Sequence, residues 1–276
     1  MMNDVMKSGL ALIGNAQIYY EIAGEGAPFV MIHAGVADSR QWNNEFEYYA
    51  QKYRVLRYDQ RGYGKSEPVE GEYSHLGDLI ALLEYLGIGE PLILMGCSMG
   101  GGLSIDYALE NPGQVKALIL LGSGPAGLDL NLPDPPLMYA AEEAYKAGDL
   151  NRAAELETHG WFDGVGRTPQ QVDPQARNLA YEMDRLALGY ASRGLGKRMP
   201  NTSTPAVQRL DGLKIPLLAI VGDEDIEYVK AAADYMETHI PQTRKVVMQD
   251  AAHLANMEYP AQFRAIVDAF LADAGL

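Results

Sequence analysis

The stretch from residue 91 to residue 102, PLILMGCSMGGG, constrains the fold of this chain more than any other. Its apolar half predicts a buried strand, and residues 103–110 predict a helix. A Gly-x-Ser-x-Gly pattern with Ser98 at its centre joins the two. Such a sharp turn strains the serine backbone and exposes the hydroxyl, while the glycines let strand and helix approach closely. The pattern predicts Ser98 as a nucleophile and the Met99 N–H as one donor of an oxyanion hole.

Buried strands alternate with helices in the first 125 residues, and again in the last 70 or so. Between them the chain has amphipathic stretches and no strand-like run. The predicted strands are 10–13, 17–23, 28–32, 54–58, 91–96, 115–121, 216–221 and 245–248. The first predicted helix begins at Ser39, and the others span 76–86, 103–110, 138–146, 152–162, 175–191, 228–239 and 261–272.

This order of elements predicts an α/β fold with a mostly parallel, doubly wound sheet and helices on both faces. A length of 276 residues, 47% of them hydrophobic, suits one α/β domain that carries an insertion. We therefore expect a core formed by residues 1–125 and 206–276, and a helical cap, or lid, formed by residues 126–205. Ligand sites in such sheets lie at the carboxyl ends of the strands, beneath the expected cap.

The composition excludes several classes of function. The net charge of −15, from 22 basic and 37 acidic residues, disfavours nucleic acid and anionic membranes as partners. No apolar run is long enough to span a bilayer. The single cysteine permits no intrachain disulfide and fits a reducing compartment. The sequence has no cluster of Cys and His residues, so no structural metal site is expected. Residues 1–7 lack the apolar segment of a signal peptide, so a cytoplasmic location is expected.

A serine hydroxyl needs a base, and the base needs an orienting partner. His253 follows the last predicted strand and is the expected base, whereas His33 fits a role in bracing its loop. His75, His159 and His239 lie in helical stretches, where solvated or packed histidines are expected.

The acid should follow another strand, between the serine and the histidine along the chain. Asp223 directly follows the strand-end glycine and could cap the loop. Asp225 lies deeper in that loop, and it is favoured as the partner of His253. The alternative to a nucleophilic Ser98 is that the Gly-x-Ser-x-Gly segment is an ordinary glycine-rich turn. A dehydrogenase is excluded because no Gly-x-Gly-x-x-Gly follows the first strand of a βαβ unit.

Five segments in this order resemble the α/β-hydrolase superfamily, in particular its carboxylesterase, lactonase and cofactor-free haloperoxidase branch. The segments are 33–35 (HAG), 59–66 (DQRGYGKS), 96–101 (GCSMGG), 222–225 (GDED) and 252–253 (AH). The resemblance implies Asp225 as the acid, because the family's acid usually falls three residues after the strand-end glycine. It also implies the Gly35 N–H as the second oxyanion donor, with Val36 as the alternative because Ala34 replaces the family's usual glycine. For Asp59 and Arg61 it implies structural roles.

The resemblance implies a serine hydrolase that cleaves carboxylic esters through an acyl-enzyme on Ser98, with no cofactor and no metal. The many acidic residues of 126–205 favour neutral small-molecule esters of small to medium acyl chain over dianionic dienoates. Lactone hydrolysis and C–C bond hydrolysis need the same triad and remain alternatives. A weakly catalytic ligand receptor on this fold is the alternative from another class. A monomer or a small homo-oligomer is expected.

Overall fold

A computed structural model describes residues 6–276 of the chain. The expectation about a signal peptide falls mainly on residues 1–5, which lie outside the described residues. The strands are β1 Lys7–Ile13, β2 Ala16–Ala23, β3 Pro28–Ile32, β4 Arg54–Tyr58, β5 Glu72–Tyr73, β6 Leu92–Cys97, β7 Val115–Leu121, β8 Lys197–Arg198, β9 Leu217–Gly222 and β10 Thr243–Met248. The helices are α1 Asn43–Tyr49, α2 His75–Tyr85, α3 Met99–Glu110, α4 Pro136–Lys146, α5 Leu150–Thr158, α6 Pro174–Ala191, α7 Glu227–His239, α8 Ala255–Glu258 and α9 Pro260–Asp273.

Eight strands form one sheet in the order β1-β2-β4-β3-β6-β7-β9-β10. Strand β2 is antiparallel to β1 and to β4, and every other neighbouring pair is parallel. Strands β3, β6 and β9 are buried along their whole length, as their continuous apolar sequences require. The predicted α/β fold with a mostly parallel sheet is confirmed.

The two faces of the sheet bury separate apolar cores, because successive side chains of a strand point to opposite faces. Phe29 and Met31 of β3 pack in one core, together with residues of α1 and α9. Val30 and Ile32 pack in the other, together with residues of α2, α3 and α7. Burial of one such side chain contributes about 1.5–3 kcal/mol, so both helical layers are held firmly on the sheet.

Helices α4, α5 and α6 lie between β7 and β9, in the segment 126–205 that was expected to form a cap. We call this segment the helical insert; the division of the chain at residues 126 and 205 stays a prediction. The expectation that the insert contains no strand was wrong, because β8 pairs in parallel with β5 outside the main sheet. These two-residue strands are mostly exposed and show no apolar alternation, so local sequence gave no signal for them.

Within residues 6–276, every helix is too short or too polar to cross a membrane.

Candidate active site

Ser98 occupies a strained turn between β6 and α3. Its backbone has φ 51° and ψ −116°, a sparsely populated combination for a residue with a side chain. The Ser98 N–H donates to the carbonyl oxygen of Leu121 at 2.9 Å, which ties the turn to the neighbouring strand β7. A Cβ on Gly96 would overlap the carbonyl oxygen of Gly100, so the glycine is needed for this close approach.

Helix α3 begins at Met99, immediately after Ser98. The first N–H groups of an α-helix have no acceptor inside the helix, and they form its partially positive end. The Met99 N–H therefore lies beside Ser98 as a donor suited to negative charge. Cys97, on the other side of Ser98, is fully buried, and burial raises the pKa of its thiol. The thiol is kept protonated and out of solvent, as expected for a packing residue.

His253 and Asp225 form a buried hydrogen bond, with 2.8 Å between Nδ1 and Oδ2. His253 is 1% exposed and Asp225 is 4% exposed. The other carboxylate oxygen, Oδ1, accepts the Ile226 N–H at 2.8 Å, which fixes the orientation of the carboxylate. Because Nδ1 donates to Asp225, Nε2 is the ring nitrogen left to accept a proton.

Two neighbouring residues fit closely around the histidine ring. Gly122, at the end of β7, has φ 56°, and a Cβ there would lie 2.7 Å from His253 Nδ1. The carbonyl oxygen of Trp161 accepts the backbone N–H of His253, and the Trp161 ring centroid lies 4.5 Å from the ring centroid of His253. Trp161 belongs to a π-helical turn, His159–Asp163, and such turns occur frequently at functional sites. Local sequence does not indicate that Trp161 contacts His253, because only the tertiary fold brings the two together.

Asp223 lies on the same loop as Asp225 but makes no contact of this kind. It is half-buried, its Oδ1 lies 3.4 Å from the Ala251 amide, and its carbonyl oxygen accepts from Lys230. These contacts brace the loop after β9 against the loop after β10 and the first turn of α7. The structure thus brings Asp225, and not Asp223, to His253.

The loop after β3 is held by His33, which is fully buried. Its Nε2 accepts the Gln60 N–H at 2.9 Å, so Nδ1 carries the proton and donates to the Ala34 carbonyl oxygen at 2.7 Å. Burial lowers the pKa of His33, which favours this neutral ring. The Ala34 N–H is occupied by Gln41 Oε1 at 2.9 Å.

Gly35 follows Ala34 and lies beside the start of α3. A Cβ on Gly35 would lie 3.7 Å from Met99 Cβ, which is ordinary van der Waals contact. The two backbone segments that carry the predicted oxyanion donors are therefore neighbours. Among residues 6–276 the Ser98 hydroxyl makes no hydrogen bond to His253. Catalytic hydrogen bonds often form or tighten only in the substrate complex, so the missing bond is compatible with catalysis.

A cavity of about 360 Å³ opens beside Ser98 and Met99. It is also lined by His75, Gly102, Leu103, Asp106, Gly124, Ala126, Gly127, Arg198, Met199, Pro200, Asn201, Thr202 and Pro205. Sequence reasoning missed His75, Asp106 and Arg198 as candidate site residues. Their positions within predicted helices and loops gave no signal, because the cavity forms only when the insert packs over the strand ends.

The described part of the chain, residues 6–276, contains no group of three or more His, Cys, Asp or Glu side chains that could hold a metal ion.

Residues 27–260 match the sequence model of the family described as the alpha/beta hydrolase fold. The chain therefore belongs to the α/β-hydrolase family, and the resemblance seen in its motifs is confirmed. Among its relatives is a pimeloyl-[acyl-carrier protein] methyl ester esterase of Nitrosomonas europaea, which is 28% identical over 92% of this chain and 99% of that protein. Another is a 2-hydroxy-6-oxononadienedioate/2-hydroxy-6-oxononatrienedioate hydrolase of Paraburkholderia xenovorans, which is 27% identical over 94% of this chain and 92% of that protein.

A solved structure shares the fold over nearly the full length. The enol-lactonase from Burkholderia xenovorans superposes with a TM-score of 0.77 at 21% identity, covering 96% of this chain and 100% of its own. The relatives thus include proteins named as esterases, lactonases and hydrolases of an oxo-dienedioate.

Proposed function

We propose that the protein is a serine hydrolase of carboxylic esters, in which Ser98, His253 and Asp225 form a catalytic triad. The observation that carries the proposal is the buried 2.8 Å hydrogen bond between His253 Nδ1 and Asp225 Oδ2. Ser98 stands on a strained strand-to-helix turn, and the preceding residue, Cys97, has its sulfur 3.8 Å from the His253 carbonyl oxygen. This arrangement orients a neutral imidazole and stabilises the imidazolium that forms when it accepts a proton.

The reaction proceeds in two acyl-transfer steps. His253 Nε2 accepts the Ser98 proton while the Ser98 oxygen attacks the ester carbonyl. The tetrahedral intermediate collapses, and the alcohol leaves with the proton from His253. Water then attacks the acyl-enzyme, again with His253 as base, and releases the carboxylic acid and the free Ser98 hydroxyl.

The N–H groups of Met99 and Gly35 stabilise the oxyanion of each intermediate. The Met99 amide is at the helix start, and the Gly35 backbone lies next to it. Gly35 is the preferred donor, with Val36 as the alternative; the N–H of the preceding Ala34 is already bonded to Gln41. One donor of this kind typically contributes about 3 kcal/mol to transition-state stabilisation, which corresponds to about 10²- to 10³-fold in kcat.

The cavity beside Ser98 supports small to medium esters as substrates. Its volume of about 360 Å³ is at the small end of the range of about 300–1,000 Å³ that is common for ligand sites. The relatives named as methyl ester esterases support ester cleavage as the reaction.

The decisive experiment is hydrolysis of p-nitrophenyl esters of increasing acyl length by the wild type and by Ser98→Ala. We expect turnover that peaks at short chains and falls by at least about 10³-fold in the variant, with the thermal unfolding midpoint retained. More than a tenth of wild-type activity in a fully folded Ser98→Ala protein would exclude Ser98 as the nucleophile.

Lactonase and C–C hydrolase activity are the second candidates, because relatives with an oxo-dienedioate hydrolase name and an enol-lactonase name cover most of this chain. A lactone series and a dienoate assayed beside the esters separate the three reactions by kcat/KM. A receptor on this fold would instead release about one equivalent of p-nitrophenol per protein and then stop.

A further inference from the structure

The cavity beside Ser98 contains a histidine that the proposed ester cleavage does not use. His75 is the first residue of α2 and is 3% exposed. Neither ring nitrogen has a hydrogen-bond partner within residues 6–276. A buried polar group left without a partner costs about 1–3 kcal/mol, so the unpaired ring of His75 marks a place where a ligand group can bind.

Arg198 lies at the same cavity and is also available. It is exposed, and its Nη1 lies 3.2 Å from the sulfur of Met99, the residue after Ser98. Among residues 6–276 its guanidinium forms no ion pair with a carboxylate, whereas the adjacent Lys197 pairs with Glu72. A thioether is a weak acceptor, so an anionic ligand group can replace it at low cost.

Both groups offer hydrogen-bond donors. Burial, together with the positive charge of Arg198, lowers the pKa of His75 to about 3, so the ring is neutral at pH 7 and donates from one nitrogen. Arginine donates only, in a fork that matches the two oxygens of a carboxylate.

The cavity also contains one carboxyl group, that of Asp106. Its Oδ2 accepts from Asn201 Nδ2 at 2.9 Å, and burial raises the pKa of the carboxyl. Asp106 is 3% exposed, whereas Arg198 is exposed. Arg198 is therefore the solvent-exposed charge at the cavity, although the chain as a whole carries −15.

We propose that His75 and Arg198 form a subsite for a carboxylate carried by the substrate, so that the protein prefers esters that bear a free carboxylate beside the scissile bond. The inference rests on the proposed function, because the subsite adjoins the proposed nucleophile. The acidity of the insert favoured a neutral ester as substrate. The subsite favours instead an ester with a single negative charge. The carboxylate can stand in the acyl part or in the alcohol part of the ester, and the test separates the two.

The test uses matched esters. For the acyl part, the mono-p-nitrophenyl ester of glutaric acid is compared with its neutral methyl-capped form and with the p-nitrophenyl ester of 5-aminopentanoic acid. For the alcohol part, an acetate ester of a hydroxy acid is compared with its methyl-capped form. In at least one pair, we expect kcat/KM for the carboxylate form to exceed kcat/KM for the neutral form by about 10- to 100-fold. This is the gain expected from one or two charge-assisted hydrogen bonds.

Substitutions then assign the preference to the subsite. Arg198→Gln should reduce the ratio of kcat/KM for the charged ester to kcat/KM for the neutral ester to near one. His75→Phe should reduce the ratio by a smaller factor. Arg193→Gln is the matched control, because Arg193 is an exposed arginine of the same insert that pairs with Glu67 away from the cavity. It should leave the ratio unchanged.

Binding provides a readout that does not depend on hydrolysis. Glutarate monoethyl ester should bind to the Ser98→Ala protein in a calorimetric titration, and Arg198→Gln in that background should weaken binding at least about tenfold. The subsite is overturned by equal rates for charged and neutral esters, by a preference for the ammonium ester, or by a preference that survives Arg198→Gln. If no ester is cleaved but the monoethyl ester binds through Arg198, the proposed ester hydrolysis fails while the carboxylate subsite stands.

Discussion

The backbone of Ser98 is strained, which lowers the stability of the fold but places the hydroxyl for the proposed reaction. A residue with a side chain held at φ 51° costs about 1–3 kcal/mol, which the hydrogen bond to Leu121 and the packing of the turn offset. Glycine adopts such angles without this cost. It also makes the unfolded chain more flexible, and this lowers the free energy of unfolding by about 0.4–1 kcal/mol. The strain is retained because the turn holds the hydroxyl beside the start of α3.

We therefore expect Ser98→Gly to be inactive and more stable than Ser98→Ala by about 1 kcal/mol, since only glycine relieves the strain. Both variants lack the hydroxyl, so their difference isolates the backbone contribution. Thermal or urea unfolding of the two proteins measures it. Equal midpoints would mean that the strain is no larger than the roughly 0.4–1 kcal/mol that glycine costs through the unfolded chain.

The two aspartates of one loop provide a second test at single residues. Asp225→Asn should lower kcat by about 10³- to 10⁴-fold, because an amide does not hold the His253 tautomer that leaves Nε2 free. Asp223→Asn should change kcat by less than about fivefold, since Asp223 only braces the loop. Steady-state kinetics with one ester decides between them, and the reverse order would assign the acid role to Asp223.

At the scale of elements, α1 and α8 meet through a buried carboxyl. Glu45 is 0% exposed, and its Oε2 accepts from Asn256 Nδ2 at 3.0 Å. Burial raises the pKa of Glu45 from its ordinary value of 4.5 to about 7, although Asn256 and Arg264 oppose this shift. Between these pH values the folded protein binds a proton that the unfolded chain does not bind. The stability linked to this proton is fully present below pH 4.5 and is lost as the pH rises through 7.

Glu45→Gln should remove this contribution, because the amide is neutral at every pH and nearly isosteric. We expect the variant to gain stability over the wild type as the pH rises from 5 to 8. Glu47→Gln, at an exposed position on the same helix, is the control and should follow the wild-type profile. Unfolding midpoints at several pH values check this. A constant difference between wild type and Glu45→Gln would show that Glu45 has the same pKa in both states.

Elements with a local signal could be predicted from the sequence, and contacts between distant elements could not. The apolar run of β3 and the turn at Ser98 specify their structures within a few residues, so the sheet and the strand ends follow from them. The pairing of β5 with β8 rests on exposed two-residue segments separated by more than 120 positions. Trp161 and His75 belong to the site for the same long-range reason. The sequence around them is typical of helices, and only the tertiary fold brings them to the strand ends.

At the scale of the whole molecule, one buried arginine ties the insert to the core behind the site. Arg167 donates to both carboxylate oxygens of Glu258, at 2.6 Å and 2.9 Å, and also to the carbonyl oxygen of Asp250. The side chains of the ion pair are 9% and 4% exposed. Asp250 starts the segment that leads to His253, so this contact connects the packing of the insert with the position of the proposed base.

Loss of one partner of this pair should therefore affect stability and catalysis together. Arg167→Met leaves the Glu258 charge buried, and we expect the free energy of unfolding to fall by about 3–5 kcal/mol. In the double variant Arg167→Met, Glu258→Leu, no charge is left unpaired, and most of the stability should return. If kcat stays low in that stable double variant, the hydrogen bond to Asp250 positions His253.

The control is Arg193→Met, which breaks an exposed pair with Glu67 that also links insert and core. Exposed pairs contribute about 0–1 kcal/mol, so this change should scarcely alter unfolding. Chemical denaturation followed by both tryptophan fluorescence and circular dichroism measures all four proteins. Coincident transitions in the wild type would show that insert and core unfold together. If Arg167→Met were no more destabilising than Arg193→Met, the buried pair would not be what holds the two parts together.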